Sequence, residues 1–128
     1  TAIRLKSNYA EAYLGRGLAK DGLGQSNVAI ADFDTVIRLK PNYAEAYINR
    51  GTVKAKLGEP NAAIADFDTA ISLKPDLVQA YYNRGVAKAQ LNRTWEAKQD
   101  LQTALRLAEK AGNARLKAYI QETLRLLK

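Results

Sequence analysis

A repeat of 34 residues constrains the fold of this 128-residue chain more than any other feature of its sequence. Residues 10–43 and residues 44–77 align without a gap and are identical at 21 of 34 positions. Residues 78–111 begin as a third copy and then diverge, while residues 1–9 match residues 35–43 at seven of nine positions. Self-similarity at a fixed period of this length predicts structural units that stack on their neighbours in one direction.

Within each copy, apolar residues recur at helical spacing in two segments that are separated by turn signals. Leu-Gly at 23–24 ends the first segment, because glycine accepts the left-handed backbone that closes a helix. Lys-Pro at 40–41 ends the second, because proline lacks an amide donor and restricts the residue before it. Asn27 and Asn61 are predicted to cap the second helices. The predicted helices cover residues 10–23, 27–40, 44–57, 61–74, 78–91, 94–110 and 113–127.

This punctuation resembles the tetratricopeptide repeat, a helix–turn–helix unit of the same period. That family places an aromatic residue, a small residue four positions on, then Ala-x-x-x-Phe and a final proline. The third copy departs from the pattern, since Leu101 replaces the phenylalanine and Glu109 stands where proline is expected. The resemblance implies an all-α, right-handed α-solenoid of stacked helical hairpins. The first two copies carry the whole pattern at Tyr13, Gly17, Ala29, Phe33, Pro41, and at Tyr47, Gly51, Ala63, Phe67, Pro75.

The repeat divides the chain into five segments. Residues 1–9 are expected to be the C-terminal half of a truncated repeat, and residues 112–128 a capping helix with a polar outer face. The three repeats between them are residues 10–43, 44–77 and 78–111, the last being degenerate at its C-terminal end. The partner helix of the truncated repeat would be missing, so we expect an exposed edge that favours self-association into a homo-oligomer. That edge consists of Ile3, Leu5 and Tyr9.

Composition argues against an enzyme. The chain contains no His, Cys or Met, so it has no imidazole base, no thiolate nucleophile and no His or Cys metal ligand. Asp-Phe-Asp occurs at 32–34 and 66–68, but carboxylates two residues apart on a helix point away from each other and cannot share one ion. We therefore expect no catalytic residue, metal site or cofactor. No apolar run approaches the ~20 residues of a membrane span, and nothing distinguishes a cytoplasmic from a periplasmic location.

Positive charge is concentrated in the last third of the chain. The formal net charge is +7, and residues 78–128 hold ten bases and four acids, which is +6 of that total. Such a segment could attract an acidic partner or nucleic acid. Aromatic residues do not interleave with the bases, as base stacking would require, so nucleic acid is the disfavoured partner. A solvated basic surface is the preferred interpretation.

An arginine precedes an aspartate by 16 residues in every copy. This fixed separation predicts that the arginine of the first helix binds the aspartate of the second, within a repeat or across to its neighbour. An anion-binding site is the alternative interpretation. The three pairs are Arg16 and Asp32, Arg50 and Asp66, and Arg84 and Asp100.

Trp95 is the only tryptophan of the chain. Because tryptophan is highly buried on average, it is predicted to pack between the third repeat and the capping helix. The alternative is an exposed anchor for a partner, since tryptophan is enriched at interaction hot spots.

In tetratricopeptide arrays, the first helices line a concave groove that holds an extended or helical peptide. The resemblance therefore implies a non-catalytic protein–protein interaction module or scaffold that binds a peptide or a partner helix there. Self-assembly through the N-terminal edge, and binding of an acidic partner or nucleic acid by the basic third, are the alternatives. By position in the repeat, the groove is expected to include Glu11, Leu14, Leu18, Glu45, Ile48, Asn49, Thr52, Lys56, Gln79, Tyr82, Asn83 and Val86.

One type of groove is not expected. Cochaperones of this family hold the acidic tails of heat-shock chaperones in a clamp of Lys and Arg with two Asn. Only the middle Asn of that clamp is present here, and the cations are missing. The equivalent positions hold Leu14, Leu18, Asn49, Gln79 and Asn83.

Overall fold

The computed structural model describes residues 2–127, with side chains described from residue 8 onward. None of the described residues forms a strand. The predicted all-α solenoid is thereby confirmed. No helix in the described part of the chain combines the length and the apolar character that crossing a membrane requires. The helices are α1 (Ala2–Gly22), α2 (Ser26–Leu39), α3 (Ala44–Lys56), α4 (Pro60–Leu73), α5 (Val78–Gln90), α6 (Thr94–Lys110) and α7 (Ala114–Leu126).

Neighbouring helices pack as hairpins that stack in order. α1 packs against α2, α3 against α4 and α5 against α6, while α2 contacts α3, α4 contacts α5, and α7 lies on α6. One large side chain of the second helix packs between the two helices of each hairpin. These side chains are Phe33, Phe67 and Leu101, and all three are fully buried. Burial of these side chains supplies the hydrophobic stabilisation that holds the paired helices together.

A glycine of the first helix lies opposite each of these large side chains. A Cβ built on Gly51 would lie 2.8 Å from Cε1 of Phe67 and 3.1 Å from the backbone oxygen of Ala63. The corresponding distance from Gly17 to Cε1 of Phe33 is 2.6 Å. The absence of a side chain therefore allows the two helices of a hairpin to approach closely.

We expect Gly51→Ala to lower the free energy of unfolding by about 1–2 kcal/mol, because overpacking outweighs the gain in helix propensity. The matched control is Gly15→Ala. No atom lies within 4 Å of a Cβ at Gly15, so this change should stabilise the protein by roughly 0.5–1 kcal/mol. Urea denaturation followed by circular dichroism measures both values. Equal effects of the two changes would contradict the close approach at Gly51.

The predicted helix boundaries agree with the structure to within one residue for α2 to α7. The predicted start of the first helix at residue 10 is wrong, because α1 begins at Ala2 and continues through residue 9 without a break. Ser7 stands where Pro41 ends α2 and Pro75 ends α4 in the later copies. Serine keeps the amide donor that proline lacks, so the backbone can remain helical at this point.

The predicted capping roles of Asn27 and Asn61 are also wrong. α2 begins at Ser26 and α4 at Pro60, so both asparagines lie inside their helices. Neither helix has a side-chain capping hydrogen bond at its N-cap residue. At Pro60 the missing amide donor costs little, because the first amides of a helix have no intrahelical acceptor.

The turns that close the first helices require a left-handed backbone. Gly24 and Gly58 provide it with φ of 78° and 79°, and Asn92 takes the same place in the third copy with φ of 62°. Gly112 has φ of 71° and lies two residues after Lys110, the last residue of α6. Asparagine is one of the few residues besides glycine that adopt this conformation readily.

Trp95 does not pack under the capping helix, and that prediction is wrong. Its side chain is 73% exposed at the first turn of α6. Trp95 occupies the repeat position of Asn27 and Asn61, which are both exposed. The position in the repeat, rather than the residue type, therefore determines that the Trp95 side chain faces solvent. The contact with α7 is made instead by Ile120, packed with the buried α6 residues Leu101, Ala104 and Ala108.

Candidate functional site

The first helices of the three hairpins form one continuous surface, which we call the inner face. α3 contacts both α1 and α5 directly. The first helices of successive hairpins therefore lie beside one another on the same side of the stack. Side chains of α3 and α5 therefore converge on the inner face.

The larger cavity of the inner face, the loop cavity, has a volume of about 560 Å³. It lies between the N-terminal ends of α3 and α5 and is closed at one side by the loops that precede these helices. Its lining combines amide, charged and apolar groups. The lining residues are Lys40, Asn42, Tyr43, Ala44, Glu45, Ile48, Asn49, Lys74, Leu77 and Gln79.

Asn49 is the unusual residue of the loop cavity. Its Nδ2 atom is buried, and no described residue accepts a hydrogen bond from it. The equivalent amide of Asn83 donates to Oγ1 of Thr52 at 3.1 Å. Leu18 takes the place of Thr52 in the first repeat, so Asn49 has no hydroxyl to bind. A buried donor without an acceptor is costly, because it has given up its hydrogen bond to water without a replacement.

The second cavity of the inner face, the capping cavity, has a volume of about 280 Å³ and lies between α3, α5 and α7. Tyr82 is fixed there by a hydrogen bond of 3.0 Å between its hydroxyl and Oγ1 of Thr123. Its ring lies 5.5 Å from that of Tyr119, at an angle of 50°. Burial raises the pKa of Tyr82 above its ordinary value. The lining residues are Thr52, Ala55, Lys56, Phe67, Tyr82, Asn83, Val86, Ala87, Gln90 and Tyr119.

Most of the predicted groove residues line one of these two cavities. The exceptions are Glu11 and Leu18, which are exposed elsewhere on α1, and Leu14, which is only 8% exposed and belongs to the core. Ile48 is only 7% exposed, so it forms the floor of the loop cavity rather than an exposed patch. Those that line a cavity are Glu45, Ile48, Asn49 and Gln79 in the loop cavity, and Thr52, Lys56, Tyr82, Asn83 and Val86 in the capping cavity.

Sequence reasoning missed the contributions that come from outside the first helices. Lys40 and Lys74 precede α3 and α5, and the Nζ of Lys40 lies 5.1 Å from the ring centre of Tyr43. The two lysines occupy equivalent positions in successive repeats, and a 34-residue period places such residues on the same side of the stack. The sequence could therefore have indicated that both lysines lie at the inner face. Tyr119 had no such signal, since α7 lies outside the repeats.

The sequence matches the tetratricopeptide repeat at residues 10–43 and 78–110, and a TPR repeat at residues 53–92. The chain belongs to the tetratricopeptide repeat family. No curated protein matches the sequence significantly.

Solved structures similar to this tetratricopeptide chain come from several proteins. The TPR2B domain of yeast Sti1, in a complex with pHsp70, is 25% identical with a TM-score of 0.88, covering 91% of this chain and 94% of that one. The TPR domain of Arabidopsis OM64 is 27% identical with a TM-score of 0.84, covering 94% and 97%. MamA is 33% identical with a TM-score of 0.77, covering 80% of this chain and 60% of its own.

Away from the cavities, the predicted arginine–aspartate pairs of the tetratricopeptide chain are confirmed. In each pair, Nε and Nη2 of the arginine donate to the two oxygens of the aspartate, at 2.6–2.9 Å. Nη1 of Arg50 also donates to Asp34 of the preceding repeat at 2.8 Å, and Nη1 of Arg84 to Asp68 at 2.9 Å. These hydrogen bonds raise the pKa of both guanidinium groups. We call this arrangement the arginine ladder.

The arginine ladder also explains the Asp-Phe-Asp motifs. The first aspartate of each motif, Asp32 or Asp66, is buried on the arginine of its own repeat. The second, Asp34 or Asp68, is about half exposed and binds the arginine of the next repeat. No group of three or more carboxylates is placed to hold a metal ion in the part of the chain that the structure describes.

Two further predicted surfaces of the tetratricopeptide chain are described in part. Tyr9, of the expected self-association edge, is 58% exposed, whereas the side chains of Ile3 and Leu5 lie outside the described residues. In the basic third, several bases bind a neighbouring acid. These pairs are Arg93 with Glu96, Lys117 with Glu109, and Arg125 with Glu122.

Proposed function

We propose that this chain is a non-catalytic protein–protein interaction module that binds an extended peptide along the inner face, across the loop and capping cavities. Asn49 carries this proposal, because its buried amide donor has no acceptor among the described residues. If the Asn49 amide rotates into the loop cavity that its side chain lines, a peptide carbonyl could accept from its Nδ2 and a peptide amide could donate to its oxygen. The free energy lost by burying the unpaired donor would then be recovered in the complex.

The surroundings of Asn49 suit a peptide better than a compact small molecule. Asn83 lies on the same inner face one repeat away and is held by hydrogen bonds from its amide to Thr52 and from Gln79 to its oxygen. The side-chain amides of Asn49 and Asn83 lie at equivalent positions one repeat apart, a regular spacing that the backbone of an extended peptide could follow. Because these side chains are already ordered, binding costs little conformational entropy on the receptor side.

Structural relatives support a peptide ligand. The second TPR of Spaghetti (RPAP3), 29% identical with a TM-score of 0.79, was solved with the HSP90 peptide SRMEEVD. The positions equivalent to the clamp that holds such acidic tails carry no Lys or Arg in this chain, so we expect no binding of SRMEEVD to it. The groove is proposed to be shared, and the peptide sequence to differ.

A library of random 12-residue peptides displayed on phage provides the probe for this proposal. Peptides selected on the wild-type chain are synthesised and their affinities measured by calorimetry. We expect Asn49→Ala to weaken binding by about tenfold or more, which corresponds to the loss of one buried hydrogen bond. Asn61→Ala is the matched control, because Asn61 is exposed on α4 and lines neither cavity.

Leu18→Thr separates a binding role of Asn49 from a structural one. The new threonine copies Thr52 and should accept a hydrogen bond from Asn49, as Thr52 does from Asn83. We therefore expect this variant to bind the selected peptides more weakly while melting at the same or a higher temperature. Selected peptides that bind wild type, Asn49→Ala and Leu18→Thr equally well would reject the proposed site.

A further inference from the structure

We propose that the outer face of α6 is a docking surface for an anionic lipid bilayer, in which Trp95 enters the headgroup region while basic side chains bind the lipid charge. This face, which we call the basic stripe, is separate from the inner face. Its side chains line neither the loop cavity nor the capping cavity. The basic stripe consists of Trp95, Gln99, Gln102, Arg106 and Lys110.

Helix geometry places the side chains of the basic stripe in one row. They follow one another at intervals of three or four residues, and such positions share one face of an α-helix. All five side chains are exposed, whereas the buried residues Leu101 and Ala104 lie on the opposite side of α6. At 1.5 Å per residue, the row is about 22 Å long.

The basic stripe is particular to the third repeat. The equivalent row of α4 has neither an aromatic residue nor a base, since it consists of Asn61, Ala65, Asp68 and Ser72. Asn61, Ala65 and Ser72 are exposed although three further helices follow α4. A following hairpin therefore leaves this face open, and the exposure of Trp95 does not depend on its place near the end of the stack.

The charge around the basic stripe is positive and uncompensated. All four acids of residues 78–128 are already bound to bases, namely Glu96 to Arg93, Asp100 to Arg84 and Lys88, Glu109 to Lys117, and Glu122 to Arg125. The bases of this region that form no ion pair among the described residues are Lys98, Arg106, Lys110 and Arg115. Such a surface attracts an anionic partner.

Trp95 favours a bilayer as that partner. The indole ring combines a large apolar area with one N–H donor, and tryptophan is enriched where membranes meet water. Its side chain is 73% exposed, so entry into the headgroup region would cover apolar surface that now contacts water. The bases on the same row keep their charged ends at the headgroups while their apolar stems lie deeper.

Other anionic partners fit the basic stripe less well. A partner helix packs on a continuous apolar row, but Gln99 and Gln102 separate Trp95 from the bases. Single-stranded nucleic acid stacks on successive aromatic residues, of which the row has only one. A bilayer needs neither arrangement, because each base meets anionic lipids independently and adds about fivefold to the affinity.

The test uses the whole chain and vesicles of two parts phosphatidylcholine to one part phosphatidylserine. Sedimentation with increasing amounts of lipid measures the affinity, and vesicles of phosphatidylcholine alone provide the comparison. Trp95 is the only tryptophan, so tryptophan emission reports on the basic stripe alone. We expect binding to the anionic vesicles with a shift of the emission to shorter wavelength, and release at high salt, which screens the charges.

Three variants locate the contact. Arg106→Gln should weaken binding to the anionic vesicles by about fivefold, and Trp95→Ala by about tenfold. The matched control is Arg38→Gln, which removes the same charge two repeats away and should change the affinity little. Arg38 is the counterpart of Arg106 on α2, is also exposed, and likewise donates to the threonine three residues before it.

Several results would overturn the proposal. One is an absence of binding, or equal binding to vesicles with and without phosphatidylserine. Another is an unchanged Trp95 emission in the vesicle-bound protein, because the indole would then remain in water. Equal losses from Arg106→Gln and Arg38→Gln would show that net charge, and not the basic stripe, binds the lipid. A single-stranded oligonucleotide or polyglutamate that shifts the emission where vesicles do not would replace the bilayer as the partner.

Discussion

Phe67→Ala is expected to lower the free energy of unfolding by about 3–5 kcal/mol, the range for truncating a fully buried aromatic residue. Phe67 has no exposed surface and packs in the central cluster with Ala63, Ala70 and Ala80. The alanines around it cannot expand to fill the vacated volume, so a cavity remains. Urea denaturation measured by circular dichroism gives the value.

Trp95→Ala is the matched control for Phe67, since it also replaces an aromatic residue with alanine. Its side chain is 73% exposed, so we expect a change within about 0.5 kcal/mol. A loss at Trp95 as large as that at Phe67 would mean that Trp95 packs against another part of the chain. A loss below 1 kcal/mol at Phe67 would contradict the hairpin core.

Arg50→Ala is expected to destabilise the protein by about 2–4 kcal/mol, because the change leaves Asp66 buried without its guanidinium partner. The side chain of Asp66 is only 6% exposed, and Nζ of Lys54 remains at 3.5 Å as a weaker partner. The variant also breaks the bond to Asp34 of the preceding repeat. Thermal and urea unfolding both report the loss.

A surface pair provides the comparison for Arg50. Arg125 binds Glu122 within α7, with side chains 70% and 55% exposed, so Arg125→Ala should cost no more than about 0.5 kcal/mol. Adding Asp66→Ala to Arg50→Ala should recover part of the loss, because the unpaired buried charge is then removed. An unchanged unfolding midpoint for Arg50→Ala would contradict a buried ion pair.

Much of the fold could be predicted from the sequence because the turn residues recur with the repeat. Leu-Gly and Lys-Pro at fixed positions limit the helices in two copies, and the third copy inherits the same register. The prediction failed at positions where the residue differs from its counterparts in the other copies. At position 7, serine in place of proline allows α1 to continue. At position 95, the prediction of a buried side chain relied on the residue being tryptophan, whereas its position in the repeat places the side chain in solvent.

The candidate site could be predicted only in part. Position in the repeat correctly indicated side chains of α3 and α5 such as Asn49 and Tyr82, which line the two cavities. It could not show that Asn49 lacks an acceptor, because that depends on a contact with the residue at position 18 in the neighbouring repeat. Tyr119 was missed because α6 runs past the point where proline ends the other second helices, which shifts α7 out of the 34-residue register.

The arginine ladder has a consequence for how the protein loses its structure. Arg50 and Arg84 each hold carboxylates from two hairpins, so part of the interaction energy belongs to the boundaries and to neither repeat alone. Melting one hairpin therefore takes a carboxylate from the arginine of the next and weakens it at once. Such nearest-neighbour coupling makes a linear stack unfold cooperatively, although each hairpin could in principle open by itself.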